Sequence, residues 1–205
     1  MNKLKNIVWH FNTIRQHRKW VRYYCFKAGL YKQSLLHDLS KYTPTEFCES
    51  VKYYTGISSP VDMCKKEQGY SMAWLHHRGC NKHHYEYWVD NLDKGGEPIP
   101  MPYQYALEMV CDNIAASRTY MKDDFTYQGV YDWWLKKTEN QIAMHPATQY
   151  FVTEVFKELA FCESVTPITR RHLKTYLKHS SLNKWCKGMN KYKYWRAENG
   201  SETQN

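Results

Sequence analysis

His37 and Asp38 stand side by side in Ser34-Leu-Leu-His-Asp-Leu-Ser-Lys41, offering two kinds of metal donor from adjoining positions. The chain also carries His17 upstream, the doublets His76-His77 and His83-His84, and Asp112 downstream. Imidazole and carboxylate together suit borderline divalent ions such as iron, manganese, cobalt, nickel or zinc, whereas an all-carboxylate set would favour magnesium or calcium. Adjacent side chains on a helix diverge by about 100°. His37 and Asp38 therefore face one site only if it lies between them. That arrangement suits a carboxylate shared by two ions about 3.5 to 4 Å apart that activate one water. By the same divergence, each later doublet turns one histidine inward and leaves the other to meet substrate.

The elements that must position these residues read as helices. From Lys5 to Ala28 the apolar residues Ile7, Phe11, Ile14, Val21, Cys25 and Ala28 recur at steps of three and four, with Gly29 as the stop. His17 falls on this stripe and points inward, where it needs a partner. A short helix is expected over Leu35–Ser40, and Thr43-Pro-Thr-Glu46 has the pattern of a capping box opening the next. Ser59-Pro60-Val-Asp62 opens another, expected to kink near Gly69 and run on to Trp74 and His76-His77. Gly79-Cys80-Asn81 breaks it, and Asn81 is expected to cap a helix bearing His83, His84, Tyr87 and Trp88. The glycine- and proline-rich loop from Asp93 to Pro102 is the strongest punctuation in the chain. Beyond it, Tyr103–Met121 reads as a helix with Asp112 on its apolar stripe, a costly place for a carboxylate without a cation or donors. Helices at about 128–143, Pro146–Cys162 and Pro167–His179 complete the reading.

These elements make an all-α fold: one helical domain over residues 1–165, then an appended helix and basic C-terminal tail over 166–205. No uninterrupted apolar run approaches the roughly 20 residues of a membrane span, and no signal-peptide core follows the N-terminus, so a cytoplasmic protein is expected. Seven scattered cysteines without a Cys-x-x-Cys pair argue against a disulfide framework or a zinc ribbon. Charge is uneven. From Arg170 to Arg196 there are nine Lys or Arg and no acid, which leaves 20 of each sign in the rest. With Tyr176, Trp185, Tyr192, Tyr194 and Trp195 interleaved, this tail has the residue types that bind nucleic acid, although a solvated helix and loose tail is the plainer reading.

The order His17, His37-Asp38, a later histidine pair and Asp112 resembles the HD-domain superfamily of metal-dependent phosphohydrolases. Leu35-Leu-His-Asp-Leu-Ser-Lys41 is close to its His-Asp-x-x-Lys variant, which implies that Lys41 holds a substrate phosphate. Val110-Cys-Asp-Asn-Ile-Ala-Ala-Ser-Arg118 is similar to the last helix of that family and puts Arg118 forward as a second phosphate ligand. Ala73 to Trp88 resembles an uncharacterised bacterial and phage family related to the HD group. In HD enzymes the middle histidines lie more than twenty residues apart, whereas these doublets are seven apart, so the ligand of each doublet is open. Choosing His76 and His84 gives six ligands with His17, His37, Asp38 and Asp112.

The resemblance implies an HD-like bundle with its metal site in the core, binding one or two transition-metal ions. Hydrolysis of a phosphomonoester or phosphodiester by a metal-bound hydroxide follows, on a small phosphorylated substrate of the nucleotide class. Lys41 and Arg118 would neutralise phosphoryl oxygens, and His77 or His83 would protonate the leaving oxygen. Two alternatives use the same residues: a di-iron oxygenase, and a non-catalytic module that is stabilised by metal and binds nucleic acid. Tyr85, Tyr87 and Trp88 are candidates to line a base or sugar pocket.

Overall fold

Twenty-six residues without proline or glycine let the first helix, α1 (Lys3–Ala28), run unbroken. Its buried face repeats at helical spacing through Asn6, His10, Ile14, His17, Val21, Cys25 and Ala28, so polar groups fill the N-terminal half and apolar ones the C-terminal half. Gly29 at φ 78° ends it, with Leu30 N donating to Cys25 O at 2.8 Å. The computed structural model describes residues 3–173.

Seven further helices follow: α2 (Tyr31–Leu36), α3 (Pro44–Lys52), α4 (Pro60–Gln68), α5 (Met72–Cys80), α6 (Tyr103–Met121), α7 (Tyr127–Glu139) and α8 (Pro146–Cys162). The described chain is all-α apart from one antiparallel pair, Val89–Asp90 with Glu97–Pro98, which closes the base of the glycine- and proline-rich loop. Among the described residues no helix is long and apolar enough to cross a membrane.

α6 is the axis. It packs along α1 on one side and on the α7–α8 pair on the other, and Ala106, Leu107, Val110, Cys111, Ile114 and Ala115 are fully buried. Each large side chain buried there contributes roughly 1.5–3 kcal/mol. Trp134 of α7 lies wholly inside against Phe156 of α8, its indole N–H donating to Thr153. Pro167, Ile168 and Leu173, from the segment assigned to the appendage, are buried, and Ile168 and Leu173 belong to the same core. The expected helix from Pro167 to His179 begins at Arg170; its remainder and the basic tail lie outside the described residues.

Three local expectations change. Gly69, at φ 81°, separates α4 from α5 rather than kinking one helix, and Ser71 caps α5 by accepting from Trp74 N. Glu49 strengthens that start, accepting from Ser71 Oγ, Met72 N and Ala73 N. His83 and His84 lie in a turn followed by a 3-10 segment, Tyr85–Trp88, because Asn81 closes α5 instead of opening a helix. At α3 the capping box is not made: Thr43 Oγ1 donates to Ser40 O, and the Glu46 carboxylate is engaged elsewhere.

Candidate metal centre

The helix expected over Leu35–Ser40 stops at Leu36. Arg18 of α1 donates from Nε to His37 O and from Nη2 to Leu35 O, both at 3.0 Å, so the last carbonyls of α2 are satisfied without another turn. His37 leaves the helix at φ −51° and ψ 129°, and Asp38 is left-handed, at φ 53° and ψ 29°. That conformation costs an L-residue roughly 1–2 kcal/mol, and aspartate is among the few that visit it. The break replaces the divergence expected of helical neighbours, and both side chains turn inward, Asp38 at 1% exposure.

Four donors, a carboxylate oxygen of Asp38 among them, lie close together. His17 Nε2 lies 3.5 Å and His37 Nε2 3.3 Å from Asp38 Oδ2, the same two nitrogens lie 3.0 and 3.3 Å from Asp112 Oδ1, and they are 3.4 Å apart from each other. Donors about 2.1 Å from one ion are spaced about 3.0 Å in octahedral and 3.4 Å in tetrahedral coordination. The observed separations fall in that range. Both oxygens of Asp38 are buried without a hydrogen bond of good geometry; the Lys41 ammonium is the cation beside Oδ2, and Oδ1 has only imidazole nitrogens near it.

A second set shares the other oxygen. His77 Nε2 and His83 Nε2 each lie 3.4 Å from Asp38 Oδ1, and His84 completes a group of four donors with them. His83 Nε2 and His84 Nε2 are buried without hydrogen-bond partners. The turn after Asn81 lets both histidines of this doublet face the site, with ring centroids 4.2 Å apart. The first doublet stays on α5 and does diverge. His77 points in at 5% exposure, while His76 is outside both donor groups, with Nδ1 2.7 Å from Glu46 Oε1 and Nε2 3.7 Å from Cys80 Sγ. Of the first doublet, it is thus His77 and not His76, the histidine chosen from sequence, that stands among the clustered donors. With about 100° of rotation per residue, α5 turns only one of the pair toward Asp38.

Two glutamates orient the imidazoles. Glu46 Oε2 accepts from His77 Nδ1 at 2.7 Å, and Glu108 Oε1 lies 3.0 Å from His37 Nδ1 and 3.5 Å from His83 Nδ1. With its proton held on Nδ1, each ring presents Nε2 to Asp38, the outer-shell device of histidine metal sites. Sequence reading missed both. Glu46 was masked by its capping-box position, and Glu108, one turn before Asp112 on α6, is the signal that was available. Asn81 tethers this wall by donating to Ser40 Oγ and His77 O, each at 2.8 Å.

Electrostatics follow from these contacts. Burial opposes charge on His37, but the Asp38 charge and hydrogen bonds to Asp112, Asp38 and Glu108 hold its pKa well above the ordinary value. Burial likewise works against the carboxylates of Asp38 and Asp112, yet the neighbouring histidines, with Lys41 beside Asp38, keep both well below their usual range. His84 is pushed well below its ordinary value by burial and by the charges of His83 and His77. It therefore offers a neutral nitrogen.

Above the donors lies a cavity of about 430 Å³ lined by His17, His77, His84 and Asp112 on its floor and by Lys41, Trp74, Tyr85 and Tyr120 among its walls. Lys41 is about one-third exposed, with Nζ 2.6 Å from Asp38 Oδ2. Burial opposes its charge, but Asp38 and Asp112 raise its pKa. His10, also in the wall, is buried with Nδ1 unpartnered. Its place on the His17 stripe of α1 is the periodicity signal that was overlooked. Arg118 is not brought to the site. Its guanidinium is held between the rings of Trp20 and Phe125, at 4.5 and 4.8 Å, and donates to Tyr24 Oη. Of the aromatic residues proposed for a base pocket, Tyr85 lines the cavity, Tyr87 is exposed, and Trp88 is a core residue donating to Lys82 O.

A family model, "Family of unknown function (DUF5662)", matches residues 6–158, and the chain belongs to that family. The matched segment contains every donor described above. No curated protein and no solved structure matches the chain.

Proposed function

We propose that this member of the family is a metal-dependent hydrolase of small phosphoesters, with nucleotides as its substrate class, built on an HD-like arrangement. The observation that carries the reading is the shared Asp38: one oxygen faces His17, His37 and Asp112, the other faces His77 and His83 with His84, and Lys41 stands beside it at the cavity. Such a set would hold two divalent transition-metal ions, which when bound supply an acidified water and neutralise phosphoryl charge. The cavity volume lies in the range of small-molecule sites.

The chain's own groups then have separate tasks. Lys41 is the one candidate of the pair with Arg118 that reaches the cavity, and its ammonium can leave Asp38 for a phosphoryl oxygen once a cation compensates that carboxylate. His77 and His83, tied to glutamates through Nδ1, serve as ligands rather than as proton donors to a leaving group. Glu46 and Glu108 keep the imidazoles aligned, and the aromatic wall of Trp74, Tyr85 and Tyr120 limits water.

The test is elemental analysis of protein purified without added metal, followed by phosphate release from nucleoside mono-, di- and triphosphates and an aryl phosphate with manganese, cobalt, nickel, iron or zinc. Lys41→Met should keep its metal and lose roughly 10²–10³-fold in turnover, the usual cost of one electrostatic donor. A fully metal-loaded protein that releases no phosphate across the panel, and consumes dioxygen with iron bound, would overturn the proposal.

A further inference from the structure

Outside the metal centre, the strongest unassigned feature is the outer face of α1. The first acidic residue of the chain is Asp38, and between Arg15 and Lys32 there are six Lys or Arg, at 15, 18, 19, 22, 27 and 32, with no acid to offset them. The balance of charge outside the C-terminal tail is therefore only an average. Phe11, Arg15, Lys19, Arg22 and Phe26 follow one another at steps of four, four, three and four, and all are exposed. They form one stripe, opposite the stripe that carries His17 inward.

Beside this stripe runs an open groove of about 730 Å³ lined by Phe11, Arg15, Arg18, Lys19, Arg22 and Tyr42 among others, with no carboxylate in its walls. The rings of Phe11 and Tyr42 lie 5.7 Å apart, the Arg18 guanidinium is 5.5 Å from the centre of Tyr42, and Arg15 is 6.0 Å from that of Phe11. Arg18 is spent on the carbonyls of α2. Arg15, Lys19 and Arg22 make no ion pair among the described residues.

From this geometry we infer that the outer face of α1 binds single-stranded nucleic acid along the Phe11–Arg22 groove. Three cations about one turn apart, without an ion pair among the described residues, present a row of charges to successive phosphates. Two rings at the groove offer faces for stacking, which unpaired bases can use and a duplex cannot. The acid-free walls remove the repulsion that an anionic strand would meet elsewhere on the surface. Lys41 and Tyr42 are neighbours, the first lining the metal cavity and the second the groove, so a strand held here would pass beside the metal centre. The inference stands independently of the hydrolase reading, because nothing in it requires a metal.

Fluorescence anisotropy of the full chain with a labelled twelve-nucleotide oligo-dT, between 50 and 200 mM salt, is the test. Arg15→Glu/Lys19→Glu/Arg22→Glu should weaken binding at least tenfold and reduce the salt slope by about 2, three phosphates at roughly 0.7 each. Phe11→Ala/Tyr42→Ala should weaken binding about fivefold or more with the slope retained. Lys184→Gln/Lys187→Gln/Lys191→Gln, in the basic tail, separates the two cationic segments. Loss of binding in the tail variant with the α1 variant unchanged would overturn the inference. So would equal affinity for a duplex, no oligonucleotide binding, or binding to phosphatidylserine vesicles alone. Should the charge-reversed protein not fold, ultraviolet cross-linking of the unaltered chain to oligo-dT decides: adducts on Phe11 or Tyr42 support the groove, and adducts confined to residues beyond 173 refute it.

Discussion

Asp38→Asn is the substitution on which the metal centre stands or falls. The amide has nearly the shape of the carboxylate, and asparagine tolerates the left-handed backbone at φ 53°, whereas Asp38→Ala would add roughly 1–2 kcal/mol of backbone cost unrelated to metal. Each proposed ion loses an anionic ligand in the same substitution, because each oxygen of Asp38 serves one donor group. Removing an outer-shell partner costs 10- to 100-fold in affinity, so loss of a shared ligand should exceed about 100-fold and empty both positions. At a metal concentration 100 times the dissociation constant, binding stabilises the folded state by about 2.7 kcal/mol. For a domain of this size that is a rise of about 5–11 °C in Tm for each ion bound, at roughly 2–4 °C per kcal/mol. Differential scanning fluorimetry with manganese or zinc against chelator should show the rise in the unaltered protein and none in Asp38→Asn. An Asp38→Asn protein that retains two equivalents of metal and the full rise in Tm would refute the shared-ligand geometry.

Three further outcomes follow from the same contacts. His77→Ala should lower the stoichiometry from two ions to one, whereas His76→Ala should leave metal content unchanged, both read by elemental analysis; the reverse result would restore the ligand choice made from sequence. Burial, with the charge of Lys41 behind it, pushes the His10 imidazole down to about 4. The unfolded chain then takes up this proton first as pH falls, and metal-free protein should lose about 3 kcal/mol between pH 6.5 and 4 in urea melts, a component absent from His10→Phe. Because His37 is held above its ordinary value, a cation must displace its proton. Metal affinity should rise with pH through neutrality, with a binding enthalpy at pH 6.5 that differs between buffers of different ionisation enthalpy, and no difference would count against His37 as a ligand.

Periodicity was enough to identify α6 and α8 and to turn His17 and Asp112 inward, since a long amphipathic helix places a side chain by its number alone. It failed where the backbone leaves the helix. The inward turn of both His37 and Asp38 depends on Arg18, nineteen residues before His37, capping the carbonyls of α2. That is a long-range contact with no local signature. His83 and His84 were expected on a helix for the same reason, and only the tether from Asn81 to Ser40 shows why a turn stands there. Glu46 has the spacing of a helix cap, and its use as the partner of His77 could be known only once α3 and α5 were packed together. Arg118 shows the opposite error: a cation six residues after Asp112 looks like a phosphate ligand until Trp20 and Phe125 are seen to enclose it.

Charge balance gives the assembly its physical reason. Asp38, Asp112, Glu46 and Glu108 all point into one cluster, and Lys41 is the one lysine paired with any of them among the described residues. Burying each ion costs several kcal/mol, and a well-packed apolar substitute for such a cluster is often neutral or stabilising by about 1–4 kcal/mol. Stability alone would therefore not select it. Without cations the carboxylates must be met by protons on the imidazoles, as the raised pKa of His37 indicates. Two divalent ions would replace those protons, and each Nε2 directed at Asp38 would become a ligand without a change of rotamer. Glu46 and Glu108 are the test of this account within the structure. They keep the Nδ1 protons of His77 and His37 in place whether or not the opposite nitrogen carries one, so the same hydrogen bonds would serve both states, and Lys41 beside Asp38 Oδ2 is the group that would have to move for metal to replace protons.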